Sequence, residues 1–353
     1  MLAALLVSIL VALLATPVAI RVARATGFLD RPRGYKGHAE PTPYLGGAAI
    51  LAGFAGGAVA GSELGGSHLA WLFAGGAFLW AVGTSDDRFG LGAGARVGTE
   101  VLAAMALWHG DLGWTVFSSD AANLGLTIVW VVGLVNAFNL MDNIDGAAAT
   151  VAAVSAFGIA LLAGTNDVDP IAILALAVAG SCVGFLRYNL TKPARIFLGD
   201  GGSMLLGFLI AGLSMATWRS AGLDGVDLLP MIMLAGLPFL DMTLVIVSRL
   251  RRGVPVAKGG RDHTTHRLRS KLGSARRVAL VLAVAQAALC LIAIEITTWS
   301  TGAVLIACSL AFVIGVATIV VLELPTFSAA LPTRSRLTAA LPAADSPGAS
   351  QRR

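Results

Sequence analysis

Four short polar segments interrupt an otherwise apolar chain of 353 residues, and their residue types are those that handle phosphate and divalent cations. The first is Thr84-Ser85-Asp86-Asp87. Adjacent carboxylates raise each other's proton affinity, so Asp86 and Asp87 are best explained by a cation or a proton transfer that uses both. The second runs Asn136-x-x-Asn139-x-x-Asp142-x-x-Asp145-Gly146, with an amide or carboxylate at every third position. On a helix this spacing keeps successive members within reach of one another. Oxygen ligands so arranged suit Mg²⁺, which takes one or two carboxylates together with substrate phosphates. The third, Phe197-Leu198-Gly199-Asp200-Gly201-Gly202-Ser203, sets an aspartate among glycines just before a helix. Glycines permit close backbone approach, and a helix N-terminus favours phosphate oxygens. The fourth, Asp262-His263-Thr264-Thr265-His266-Arg267, lies in a loop, 249 to 277, that is dense in lysine and arginine. Carboxylates for a metal, a glycine turn for phosphate and a basic loop for anionic charge are the parts of a Mg²⁺-assisted phosphoryl-transfer site, with Mn²⁺ as the alternative ion.

The elements that must position these segments are hydrophobic helices. The chain is 56% hydrophobic and 13% charged, with a mean hydropathy of +0.80, whereas soluble domains carry about 25% charged residues. A water-soluble fold is excluded on that ground, and the 42 glycines suit helices packed closely in lipid. Apolar runs near 2–20, 45–61, 69–84, 97–109, 123–140, 147–164, 170–187, 202–217, 229–248, 278–297 and 302–322 predict an all-α, polytopic bundle of about 11 spans. The first run lacks a basic n-region and is followed by Arg21 and Arg24, which makes it a span and not a signal peptide. With the N-terminus outside and the C-terminus cytoplasmic, all but Arg219 of the 25 lysines and arginines fall on the inner side. The same topology brings the four polar segments to the cytoplasmic ends of spans.

Residues 1–324 are expected to form a single transmembrane catalytic domain, and 325–353, rich in Ala, Pro, Ser and Thr, a disordered cytoplasmic tail. Cys182, Cys290 and Cys308 sit in apolar runs without paired spacing, so neither a disulfide framework nor a zinc site is indicated. The net charge of +5 is spread over loops beside spans with no aromatic interleaving. It argues for topology and contact with anionic headgroups, and against a nucleic-acid partner.

In this order, and between about Asp30 and His266, the motifs resemble those of the polyprenyl-phosphate N-acetylhexosamine-1-phosphate transferase family. The resemblance also takes in Lys36-x-His38-x-x-Pro41-Thr42-Pro43-x-x-Gly46-Gly47 and the stretch from Asn189 to Ser203. It implies transfer of a sugar 1-phosphate, of the N-acetylhexosamine type, from a UDP-sugar such as UDP-GlcNAc to a membrane polyprenyl phosphate such as undecaprenyl phosphate, with release of UMP. That would be the first membrane step of a cell-envelope glycan such as lipopolysaccharide or teichoic acid. It further implies Asn139 and Asp200 as metal ligands and Asp86 and Asp87 as the catalytic pair. Lys36, Asp142, Asp145, Asn189 and Phe197 would form the nucleotide-sugar pocket, Phe197 as a stacking surface for uracil, with His263, His266 and Arg267 on the phosphates. The implied location is the cell (inner) membrane with the active site on the cytoplasmic face; a homodimer is left open.

One departure matters: the family's H-x-H-H pattern reads His263-Thr264-Thr265-His266 here, without the middle histidine. This argues against the muramyl-pentapeptide branch, and Thr265 is expected to contribute little. A secondary transporter is the rival from another class, but its ionisable residues would lie near the bilayer midplane. A CDP-alcohol phosphotransferase would need D-G-x-x-A-R, whereas Asp145-Gly146 is followed by Ala147, Ala148, Ala149 and Thr150.

Overall fold

The computed structural model describes residues 1–31, 41–62, 70–223, 225–256 and 259–328. An apolar segment in hydrocarbon must pair its own N–H and C=O groups, and a helix does this within the segment. A helix accordingly falls on each apolar run: α1 (Leu2–Thr26), α2 (Gly46–Ala60), α3 (Ala70–Phe89), α4 (Ala93–His109), α5 (Asp120–Met141), α6 (Ala147–Thr165), α7 (Asp169–Asn189) and α8 (Asp200–Ser220). After a 3₁₀ turn at Gly225–Asp227 come α9 (Leu228–Met233), α10 (Gly236–Arg252), α11 (Thr264–Leu272), α12 (Ala275–Ile296), α13 (Thr301–Glu323) and α14 (Pro325–Ser328).

The protein is an all-α, multi-pass membrane protein. Among the described residues seven helices (α1, α5, α6, α7, α8, α12 and α13) are long and apolar enough to cross a bilayer alone, and the pair α9 and α10, bent by 77°, would make eight. The remaining expected spans coincide with helices that are less clear-cut. The 15 residues of α2 rise only about 22 Å, α3 ends in Asp86, Asp87 and Arg88, and α4 carries Arg96 and Glu100. Pro325–Ser328, the first residues of the expected tail, form a helical turn; 329–353, like Lys36 and His38, lie outside the described residues.

At the centre stands α8. It is apolar on every side, and from Gly201 to Trp218 each residue is buried, as expected of a helix with no polar face. The helices α2, α3, α5 and α6 pack around it. By contrast α13 buries only Val304 and Leu322 and presents Leu305, Ile306, Leu310 and Phe312 outward, as a lipid-facing helix does.

Two backbone contacts set the geometry at the Asp200 end of α8. A Cβ on Gly83 of α3 would stand 2.6 Å from the carbonyl of Asp200, and one on Gly47 of α2 would stand 2.6 Å from Gly202. Glycine at these positions lets three helix backbones touch. A two-stranded ladder, Leu29–Asp30 against Thr42–Pro43, leads into the start of α2. There Phe197 N–H donates to Pro43 O (2.7 Å), Gly46 N–H to Phe197 O (3.1 Å) and Gly47 N–H to Leu198 O (3.0 Å), which pins the segment before α8. Gly83→Ala is therefore expected to destabilise the fold by about 1–3 kcal/mol through overpacking and to lower turnover by separating α3 from Asp200. Thermal unfolding in detergent and a turnover assay check it; wild-type values in both would mean that α3 can slide.

Candidate active site

The end of α3 carries Asp86 and Asp87, the last turns of α5 carry Asn139, the first turn of α4 carries Arg96, and Asp200 is the first residue of α8. These five side chains meet. Arg96 donates from Nη2 to Asn139 Oδ1 (2.9 Å), and its Nη1 lies 3.0 Å from Asp86 Oδ2 and 3.5 Å from Asp200 Oδ2. Asn139 Nδ2 donates to Asp200 Oδ1 (2.9 Å) and to Ser203 Oγ (3.0 Å). Asp86 is buried, and its Oδ1 accepts the N–H of Leu91 at 2.5 Å. Asp87 faces the N–H groups of Asp200 and Gly201, and its Oδ2 is buried without a hydrogen-bond partner among the described residues.

This arrangement corrects the expected use of the glycine turn. Gly199 takes a left-handed conformation (φ 77°) to bring the chain into α8. The neighbouring glycines are packed against Trp80, Thr84, Leu198 and Gly47. The N–H groups at the tip of α8 meet Asp87, a carboxylate of the chain itself, so the turn serves to bring α3 to α8 and is not an open phosphate cradle.

Around this centre the sequence-derived pocket residues divide. Asp142 and Asp145 lie half-buried in the turn after α5. Burial, then the charges of Asp200, Asp87 and Asp145, push the Asp142 carboxyl well above the usual range, which places it within electrostatic reach of the cluster. Phe197 is half-buried, held by its two backbone bonds. Asn189, in contrast, is buried: its Oδ1 accepts Gly146 N–H (2.6 Å) and its Nδ2 donates to Ile196 O (2.8 Å). It braces the two loops against each other.

The histidine loop needs a larger correction. Arg267 is 2% exposed. Its guanidinium donates to Asp262 O (3.0 Å), Ser248 Oγ (2.8 Å), Glu323 Oε1 (2.7 Å) and Leu322 O, so it ties α11 to α10 and α13. Arg249 and Arg252 hold Asp262; burial alone would raise that carboxyl, but their hydrogen bonds and charge bring it to about 2. Three of the loop's cations are thus part of the scaffold.

His263 Nδ1 lies 2.8 Å from Asp241 Oδ2, and the other oxygen of Asp241 accepts Thr264 N–H at 2.6 Å. A carboxylate at Nδ1 fixes the ring and leaves Nε2 for a ligand. The His266 ring centroid is 6.3 Å from that of His263. Thr265 is buried and donates to Asn143 Oδ1, which joins the loop to the turn after α5, so the expectation that it contributes little does not fit.

Burial, then the charges of His263, Arg261 and Arg269, lower the His266 pKa to about 4. With that pKa the ring is neutral at pH 7 in the protein alone, which leaves it available as a hydrogen-bonding group. His266→Ala should lower kcat/KM about tenfold, the worth of one hydrogen bond to a charged group, and His266→Gln should recover most of it. Neither should alter the profile between about pH 5 and 7, where an ordinary histidine titrates. An acid limb that disappears in His266→Gln would show that the ring does charge there. The sign for stability follows from a folded pKa below the unfolded 6.5: the neutral ring's contribution is present above about 6.5 and lost as the pH falls towards 4.

The donor set fits a hard divalent cation. Asn139 Oδ1, Asp86 Oδ2 and Asp200 Oδ2 all face one positive charge, the Arg96 guanidinium. Among the described residues no three His, Cys, Asp or Glu side chains form a closed metal site, and an ion that shares its ligands with substrate phosphates needs none. Two residues of this site were not among the expected ones, Arg96 and Asp241, and each had a signal. A cation in the first turn of a helix opposes the helix dipole, and an aspartate within an apolar run is a functional candidate by default.

Acidic and amide side chains gathered at one end of a helical membrane bundle, beside an ordered histidine loop, define a membrane-embedded transferase of phosphorylated groups. The chain belongs to glycosyl transferase family 4, whose model matches residues 69–217. It is 33% identical to the "Probable undecaprenyl-phosphate N-acetylglucosaminyl 1-phosphate transferase" of Bacillus subtilis, over 75% of this chain and 76% of the relative. It is 30% identical to the decaprenyl-phosphate N-acetylglucosaminephosphotransferase of Mycobacterium tuberculosis, over 74% of each. The undecaprenyl-phosphate alpha-N-acetylglucosaminyl 1-phosphate transferase of Escherichia coli is 29% identical, over 76% of each.

Proposed function

We propose that this enzyme transfers GlcNAc 1-phosphate from UDP-GlcNAc to a polyprenyl phosphate, giving polyprenyl-diphospho-GlcNAc and UMP. The observation that carries the reading is the meeting of Asp86, Asp87, Asn139 and Asp200 at the shared end of α3, α5 and α8, in a chain of this family.

An oxygen of the lipid phosphate attacks the phosphorus that bears the sugar. A new P–O–P link forms, the bond from that phosphorus to the bridging oxygen of the donor breaks, and UMP leaves. A phosphate monoester has its second pKa near about 6, so Asp86 or Asp87 has only a residual proton to take or an oxygen to steer. Asn139 and Asp200 would hold Mg²⁺, or Mn²⁺ in its place, whose chemistry is to neutralise charge on the diphosphate. His263 Nε2 and His266 supply hydrogen bonds to the phosphates, and the pocket for uridine and sugar is formed by Asp142, Asp145 and Phe197, with Lys36 from the segment before α2.

The reading includes a bundle of about 11 spans within a single catalytic domain, 1–324. It places the N-terminus outside and the site on the cytoplasmic face, where nucleotide sugars are made. An impermeant thiol reagent applied to whole cells should label a cysteine introduced at Asn166 and spare one at Gly94; the reverse pattern would invert the topology. The activity itself is tested with purified protein, Mg²⁺, undecaprenyl phosphate and a panel of UDP-sugars. UMP release with UDP-GlcNAc is expected, and folded protein that releases none with any donor would overturn the assignment.

A further inference from the structure

The guanidinium of Arg96 sits among the oxygens expected to receive the metal. Nη2 takes Asn139 Oδ1 at 2.9 Å, and Nη1 takes Asp86 Oδ2 at 3.0 Å and Asp200 Oδ2 at 3.5 Å. The guanidinium lies between these oxygens, so a divalent ion held by the same oxygens would stand close against a like charge, and the two cations repel. We propose that Arg96 and the divalent cation exchange places: the cation displaces the guanidinium, which turns to the diphosphate of the incoming nucleotide sugar. The proposal rests on the function argued above and adds to it a residue and a coupling.

Charge supports the exchange. Asp86 and Asp200 bring two negative charges to one guanidinium, so the centre as it stands is under-neutralised. A divalent cation matches Asp86 and Asp200 fully and leaves the guanidinium as a surplus positive charge. A diphosphate is the ligand whose geometry a planar guanidinium fits in two-pronged fashion. The side chain has room to turn: Arg96 stands in the first turn of α4 and keeps 21% of its side chain exposed, next to the glycines at 92 and 94, around which a Cβ would meet no atom within 4 Å. Without substrate the arginine therefore opposes the metal. With substrate it has a better partner, so metal and nucleotide sugar favour each other's binding.

The test is Mn²⁺ binding followed by electron paramagnetic resonance on protein in detergent, without lipid acceptor so that no turnover occurs. For Mn²⁺ alone, Arg96→Gln should bind about tenfold tighter than wild type, in the range of typical coupling between sites, and Arg96→Lys, a point charge that cannot bridge three oxygens, should fall between them. Addition of UDP-GlcNAc should tighten Mn²⁺ in wild type by a larger factor than in Arg96→Gln, and UDP-GlcNAc affinity should itself drop in Arg96→Gln. Equal or weaker binding of Mn²⁺ alone by Arg96→Gln, with Arg96→Lys folded and also no tighter than wild type, would overturn the exchange. Release of UMP by the wild type separates this failure from failure of the functional reading: with UMP formed and Mn²⁺ affinity unmoved, only the role of Arg96 falls.

Discussion

Asp200→Asn should lose about 10²-fold or more in turnover, the usual scale for removing one preorganised electrostatic contact, and should shift the Mg²⁺ midpoint to higher concentration. The side chain keeps its volume but trades an anionic oxygen for an amide. In the structure Asp200 Oδ1 accepts from Asn139 Nδ2, and Oδ2 faces Arg96. Either orientation of the new amide sets a donor against a donor, and a hard cation loses a charged ligand. Because Gly199, not Asp200, is the N-cap of α8, and the substitution keeps the side-chain volume, the fold should survive, which thermal unfolding in detergent will show. Wild-type turnover with an unchanged Mg²⁺ midpoint would leave Asp200 with no part in holding metal.

Asp87→Asn is expected to be as damaging to turnover, by about 10²-fold on the scale of acid–base and steering groups, yet to move the Mg²⁺ midpoint less. The reason lies in where its oxygens point. One side of the carboxylate meets the N–H groups that open α8, while Oδ2 is buried with no partner among the described residues. A buried oxygen left without a partner is costly, and a proton carried in by the lipid phosphate is the natural claimant. An equal shift of the Mg²⁺ midpoint in Asp87→Asn and Asp200→Asn would merge the two roles into one site.

Much of this site was legible because its chemistry demands residue types that an apolar helix otherwise avoids. Asp86, Asp87, Asn139 and Asp200 stand out at helix ends against a background of alanine, leucine and valine, and the structure does bring them together. The helices were legible for the same reason, since apolar runs bounded by charge have few other ways to satisfy their backbones. What sequence could not separate was a polar side chain facing a ligand from one facing the scaffold. Asn189 and Arg267 lie in motif segments and have suitable chemistry, but the first braces two loops and the second ties α11 to α10 and α13. Arg96 and Asp241 escaped for the opposite reason. Each is a single residue whose meaning comes from partners more than 20 positions away, at Asn139 and His263. The glycine turn misled because close approach to a ligand and close approach between helices leave the same mark in a sequence.

The full encasement of α8 bears on how the protein fails under stress. Amide hydrogens in a helix with every side buried exchange only through the largest openings of a fold, while peripheral elements exchange through small ones. Asp200 rides on the most protected helix, whereas His263 caps, and His266 lies in, the nine-residue α11, which buries only part of its length. Mild heat or detergent damage will therefore loosen the histidines first and leave the carboxylate centre assembled, so that inactivation proceeds inward from the edge of the site.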